Sequence, residues 1–203
     1  MTTLYARVKS RFWYIIRMET IRAMTMPDSV PFFKGDPGEE HYKLLAYLAS
    51  LYNNVDIFDI GTYYGYSALA LASGNKTNSV LSFDLEVKGS PPVVPNVMYY
   101  FDNLMEESGQ QLWKKRLLAS PLIMLDIDPH EGTREYQFYL WLRENNYQGI
   151  VVCDDIVHFK EMRDNFWDKV APEHKMDITK FGHWSGTGLI FFNPASVPSA
   201  LRA

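Results

Sequence analysis

The sequence predicts one α/β domain built on parallel strands, and three observations carry that expectation. The stretch Val55–Ala72, VDIFDIGTYYGYSALALA, reads as a buried strand, a glycine turn and a helix. Leu122–Cys153 reads as strand, helix, strand, the unit that makes neighbouring strands parallel. Several predicted strands end in acidic residues, at the end of an open parallel sheet where ligands bind.

Length and composition set the frame. The chain has 203 residues, enough for one domain with a substantial core. Hydrophobic residues make up 47% and charged residues 22%, an ordinary globular balance. The net charge of -4 argues against a nucleic-acid partner. A single cysteine, Cys153, excludes an intramolecular disulfide and a cysteine-based zinc site, and fits a reducing, cytoplasmic setting. No apolar run is long enough for a transmembrane segment, and the N-terminus lacks a signal-peptide pattern.

In chain order, residues 1–25 are expected to form a basic, aromatic helix. It is a candidate packing surface, a homodimer contact, a substrate lid, or a surface that meets anionic lipid or an acidic substrate. The proline- and glycine-containing stretch 25–38 reads as a loop from which Phe32 and Phe33 could cover a site. Glu39–Leu51 has helical spacing, with His41, Leu44 and Leu48 on one stripe and Tyr42, Leu45 and Ala49 on the next. In Val55–Ile60, apolar residues on both faces suit a central strand. Gly61 permits a sharp turn and leaves room for a ligand, and Gly65 opens a helix whose N-terminus faces that turn.

Strands follow at Val80–Asp84 and Val97–Phe101, and a helix at Glu106–Ala119. Strand Leu122–Ile127 runs into LDIDPHEG, helix Glu131–Asn146 follows, and strand Ile150–Cys153 runs into DDIVH. A helix over Phe159–Val170, two strands at Lys175–Phe181 and Thr187–Asn193, and a loose tail from Pro194 complete the reading. The loop GHWSGT joins the last two strands, with His183 and Trp184 as tethers.

Because the strand–helix–strand unit makes its strands neighbours, roughly 5 Å apart, Asp126, Asp128, Asp154 and Asp155 gather in one small volume. Clustered carboxylates take up protons or share a cation, and hard oxygen ligands suit Mg²⁺ or another divalent ion. Helix capping by these acids is the alternative.

The residues D-x-G-x-Y-x-G-Y-S, Asp59 to Ser67, resemble the first motif of class I S-adenosylmethionine (SAM) methyltransferases. They are most similar to the catechol and caffeoyl-CoA O-methyltransferase branch, which carries E-x-G-x-Y-x-G-Y-S. Tyr63 stands where a dinucleotide fingerprint has its middle glycine, which weakens a nicotinamide reading. The resemblance covers roughly residues 39–193. It implies a doubly wound, Rossmann-like, mostly parallel sheet with an antiparallel C-terminal strand.

The resemblance also implies SAM as cofactor. Asp59, Gly61, Thr62, Tyr63, Gly65 and Ser67 would serve its methionine part and Asp84 its ribose, with Glu86 as fallback and Asp102 near the adenine. It implies metal ligation by Asp154 and Asp155 with Asp126 or, less favoured, Asp128. The lysine that serves catechol-type enzymes as general base is absent; Pro129 or Glu131 occupies its place. His130 is the nearest candidate base, an arrangement similar to metal-dependent sugar O-methyltransferases, although a helix-start role also fits. His158 is the weaker candidate.

The expected function is methyl transfer to a hydroxyl of a small catechol, phenolic or sugar substrate. A metal-dependent hydroxylase-like enzyme and a non-catalytic SAM-binding partner protein are the competing readings.

Overall fold

A computed structural model describes residues 3–7, 13–28, 38–86 and 88–201. Phe32 and Phe33 lie outside the described residues.

The expected N-terminal helix is instead mostly a hairpin. Strands β1 (Thr3–Arg7) and β2 (Trp13–Arg17) pair antiparallel, with Thr3 opposite Arg17. Among the described residues of this segment, only α1 (Met18–Arg22) is helical. The run Trp13-Tyr14-Ile15-Ile16 is aromatic and β-branched, and such residues favour extended backbone. Ile16 and Ile21 anchor the segment in the core. The homodimer expectation therefore loses the long helix on which it rested.

The centre of the molecule is a seven-stranded sheet in the order β5-β4-β3-β6-β7-β9-β8. Its strands are β3 (Asp56–Ile60), β4 (Ser79–Phe83), β5 (Val97–Tyr100), β6 (Leu122–Leu125), β7 (Ile150–Asp154), β8 (Lys175–Asp177) and β9 (Thr187–Phe191). From β5 to β7 all pairings are parallel, while β9 runs antiparallel to both β7 and β8. The two wings of the sheet diverge between β3 and β6, the switch point beyond which a ligand crevice forms.

Side chains alternate between two apolar layers. Ile57, Val80, Met124 and Val152 pack with α2 (Gly38–Ser50) and α3 (Tyr66–Gly74). Phe58, Leu81, Ile123 and Val151 face the layer that holds α4 (Glu107–Ala119), α5 (Thr133–Glu144) and α6 (Lys160–Asn165). Both faces of the middle strands are covered, which is why β6 and β7 read as near-continuous apolar runs.

Three C-terminal expectations are corrected. The helix expected over Phe159–Val170 stops at Asn165 and resumes as a 3-10 turn, Trp167–Lys169. Phe166, at φ -124° and ψ -70°, breaks it, and both Phe166 and Trp167 are buried. The strand expected over Lys175–Phe181 ends at Asp177, whose carboxylate accepts the Thr179 N–H at 2.9 Å and hydroxyl at 2.6 Å. That local turn outcompetes the ladder. The tail is docked rather than loose. Asn193 accepts the Ala195 N–H at 2.9 Å, and Val197 and Leu201 are buried in the cluster that holds Ile16.

Burial of an aliphatic side chain contributes about 1.5–3 kcal/mol, so truncation after Ser196 should lower unfolding free energy by about 3 kcal/mol or more. Urea denaturation measures this; a loss below about 1 kcal/mol would show that the docked tail contributes little.

Candidate active site

Gly61 ends β3 in a left-handed conformation, φ +103°, that favours glycine. Its N–H and that of Thr62 donate to the Phe83 carbonyl at 2.8 and 3.2 Å. A Cβ on Gly61 would lie 1.6 Å from the Asp126 carbonyl oxygen. The space expected for a ligand is therefore taken by the neighbouring strand, and glycine lets β3 and β6 approach. The turn still borders a cavity of ≈ 700 Å³, lined by Gly61, Thr62, Tyr63 and Ser67.

Asp59 does not line that cavity. It shares strand parity with Ile57 and so points into the α2–α3 layer, fully buried. Ser82 donates to its Oδ2 at 2.6 Å, and the Thr62 and Ser82 hydroxyls are bonded at 2.7 Å. Burial pushes the Asp59 carboxyl up to about 7, with the Ser82 and Ser67 hydroxyls opposing and Asp84 adding to the rise. Asp59 thus braces the turn from behind. Gly65, also outside the lining, is the left-handed N-cap of α3.

On the opposite wall, Asp84 follows β4. The N–H groups of Tyr63 and Leu85 each donate to one of its carboxylate oxygens at 2.8 Å. Two fixed backbone donors hold the carboxylate in one orientation at the cavity wall. Glu86 and Asp102 also line the cavity, and the Trp113 indole N–H donates to Asp102 at 2.8 Å.

The acidic cluster forms at the ends of β6 and β7. Consecutive residues on a strand face opposite sides, yet Asp154 and Asp155 both line the cavity. The left-handed backbone of Asp155, φ +62°, breaks the alternation. Asp126 and Asp128 join them. His130 sits among the acids: Nδ1 is 3.2 Å from Asp155 and 4.0 Å from Asp126, and Nε2 is 3.2 Å from Asp128. The Phe159 ring lies against the imidazole, with centroids 4.6 Å apart.

Burial, then the charge of Asp155, pushes the Asp154 carboxyl up to about 8, with the Thr187 hydroxyl opposing. Burial and then Asp154 and Asp155 hold Asp126 well above the ordinary carboxylate range. Protons or cations must therefore neutralise part of the cluster.

Two residues of the site were not nominated from sequence, His41 and His183. Both line the cavity, and His41 Nε2 and His183 Nδ1 each stand 3.9 Å from Asp154 Oδ2. His41 is one histidine on the otherwise apolar stripe of α2, which was a readable signal. His183 arrives through topology. Because β9 runs antiparallel to β7, the loop before β9 returns to the C-terminal end of β7. There the N–H groups of Val157 and His158 donate to the Ser185 carbonyl at 3.0 and 2.7 Å. His158 itself does not line the cavity and packs edge-on against Trp184.

No protein-family model matches the chain, and no curated protein does. Among solved structures it is 14% identical to a protein from Corynebacterium glutamicum, over 87% of this chain and 89% of that one, with a TM-score of 0.53. It is 18% identical to the O-methyltransferase from Bacillus cereus in complex with SAH, over 85% and 86% of the two chains, with a TM-score of 0.50. The MycE methyltransferase of the mycinamycin biosynthetic pathway, in complex with Mg and SAH, aligns at 12% identity and a TM-score of 0.49. That match covers 66% of this chain and spans 38% of the MycE chain. The likeness is one of fold: the chain has the doubly wound class I methyltransferase fold, including the antiparallel last strand. No described helix is long and apolar enough to cross a membrane.

Beneath the site, Glu135 of α5 is fully buried and neither carboxylate oxygen has a hydrogen-bond partner. Burial pushes its carboxyl up to about 7. The folded protein therefore holds a proton that the unfolded chain releases near the ordinary glutamate value. That contribution is complete below the unfolded value, is lost as pH rises, and levels off above about 7. Glu135→Gln should flatten the fall in stability between pH 5 and 8 by about 2–3 kcal/mol, read by urea denaturation across that range. An unchanged slope would mean that Glu135 finds a partner in solution.

Proposed function

We propose that this protein is a SAM-dependent, divalent-metal-dependent O-methyltransferase acting on a hydroxyl-bearing small molecule. The observation that carries this reading is that one cavity joins the Gly61–Ser67 turn and Asp84 to the Asp126–Asp154–Asp155 cluster and His130. The methyl-donor region and the hydroxyl-activating region thus border the same space. Its ≈ 700 Å³ lies within the range of small-molecule cavities.

The residues fit the donor. Asp84 is fixed by two backbone N–H groups and lines the cavity, so it can receive a ribose diol without reorganising. Thr62, Tyr63 and Ser67 border the methionine end, braced by Asp59 through Ser82, and Asp102, held by Trp113, borders the adenine end. The sulfonium nucleoside supplies the electrophilic methyl group.

The residues also fit a divalent cation. Asp126, Asp154 and Asp155 offer hard oxygen donors, and their mutual repulsion is relieved by positive charge. Such an ion supplies Lewis acidity that favours the ionised hydroxyl.

His130 takes the acceptor's proton. Both of its nitrogens face carboxylates at 3.2 Å, so the ring must release one contact to accept from substrate. The exposed Asp128 is the contact more readily given up, because water can replace it. Asp155, on the other nitrogen, then orients the ring and stabilises the imidazolium.

Calorimetry should register SAM and S-adenosylhomocysteine binding to the wild-type protein. Asp84→Ala removes a charged hydrogen-bonding group and should weaken both by roughly 10–100-fold. Asp154→Ala should keep SAM binding and abolish S-adenosylhomocysteine formation with a panel of catechol, phenolic and sugar acceptors. Folded protein that binds neither nucleoside would end this reading.

A further inference from the structure

Two cationic side chains in the cavity lining have no part in the proposed mechanism, Lys88 and Arg134. Lys88 belongs to the donor end. Its backbone N–H donates to the Tyr63 carbonyl at 3.2 Å, and its Nζ lies 4.9 Å from the centre of the Tyr63 ring. Arg134 belongs to the acidic end. It follows His130 by four residues and stands in the first turn of α5.

A cation in that place is electrostatically out of position. The first turn of a helix favours acidic side chains, because its free N–H groups make that end positive. Four aspartates share the cavity lining with Arg134, yet among the described residues its guanidinium pairs with none of them. Its ion pair is with Glu131, Nε to Oε1 at 3.7 Å, too long for a hydrogen bond. The two side chains are 48% and 45% exposed, and such a pair contributes little in water. The charge and the hydrogen-bonding capacity of Arg134 are therefore not used up within the chain.

The backbone beneath Arg134 is fixed. The Asn165 side-chain amide donates to the Glu131 carbonyl at 2.9 Å. A Cβ on Gly132 would lie 2.9 Å from the Glu161 carbonyl oxygen, so the start of α5 is seated closely on α6. A guanidinium projecting from a fixed helix start is partly preorganised for a ligand. Its planar fork of N–H donors matches a carboxylate or a phosphate, and its charge is permanent.

The end of the cavity that holds Arg134 also holds His130, where the acceptor's hydroxyl loses its proton in the proposed function. The anionic group and the hydroxyl thus belong to one molecule. An anion entering here also meets the aspartates. The divalent ion of the proposed function offsets that repulsion, and Arg134 adds the directional contact.

We propose that Arg134 determines acceptor specificity, and that the acceptor is a hydroxyl-bearing acid whose carboxylate or phosphate this guanidinium binds. The proposal rests on the methyltransferase reading of the same cavity and narrows its acceptor class. Neutral catechols and neutral sugars become the poorer ligands.

The test is calorimetry on the full-length protein with Mg²⁺, with and without S-adenosylhomocysteine, using matched ligands. The pairs are protocatechuate and its methyl ester, caffeate and its methyl ester, glucuronate and glucose, and glucose phosphate and glucose. At least one acid should bind roughly 10–100-fold more tightly than its neutral partner, and the sugar-phosphate pair separates phosphate from carboxylate. Arg134→Ala should bring that ratio to about one. Arg134→Lys keeps the charge but loses the fork, and should restore only part of the ratio. Neither variant should change S-adenosylhomocysteine affinity by more than about twofold. Circular dichroism checks folding; Arg134→Gln replaces Arg134→Ala if the latter fails to fold. Acids that bind no more tightly than their neutral partners overturn the proposal, as does a preference that survives in folded Arg134→Ala. A fall in S-adenosylhomocysteine affinity with the acid ratio unchanged assigns the guanidinium to the donor and overturns it too. Wild-type protein that prefers acids but binds no nucleoside ends the methyltransferase reading and keeps Arg134 as the anion-binding residue.

Discussion

Like-charge repulsion at the ends of β6 and β7 is the constraint around which the site is built. Asp126, Asp154 and Asp155 share one cavity wall, and two of them are held well above their ordinary pKa range. A fold maintains such an arrangement only when the core beneath supports it. The eight residues of β6 and β7 other than the terminal acid Asp154 are apolar or cysteine, and every one is buried. The apolar rows fix the strand ends to each other, and the strand ends carry the charges.

The same strand geometry sorts the remaining polar groups. Strand parity sends Asp59 inward, where it braces the glycine turn through Ser82. The first residue beyond β4, Asp84, is captured by two backbone donors and turned to the cavity. The left-handed backbone of Asp155 breaks parity, so two consecutive acids serve one site. Glycine at position 61 permits the close approach of β3 and the Asp126 carbonyl that brings the glycine turn and the acidic wall together.

Much of this was legible in the chain. The apolar residues Ile57, Phe58 and Ile60 and the run Ile150–Cys153 identified buried parallel strands, because a sheet covered on both faces needs no polar alternation. The acids after them could be placed at one end of the sheet, because strand–helix–strand units have one orientation. Local competition was less legible. The aromatic Trp13–Ile16 run fits a helix or a strand by composition, and only its partner strand decides. Val197 and Leu201 look like isolated apolar residues in a polar tail until the core that receives them is known.

The sequence by itself determined the α/β class, the glycine turn, the acidic strand ends and His130, since each depends on residue type and short-range spacing. Tertiary structure alone decided that Asp59 supports rather than lines the cavity, and that the room beside Gly61 belongs to Asp126. It also decided that His41 and His183 reach Asp154 from segments more than 100 residues apart in the chain. Those outcomes turn on strand parity, on the backbone at one left-handed residue and on the reversal of β9. Each of these is a relation between segments, and the pattern within one segment does not contain it.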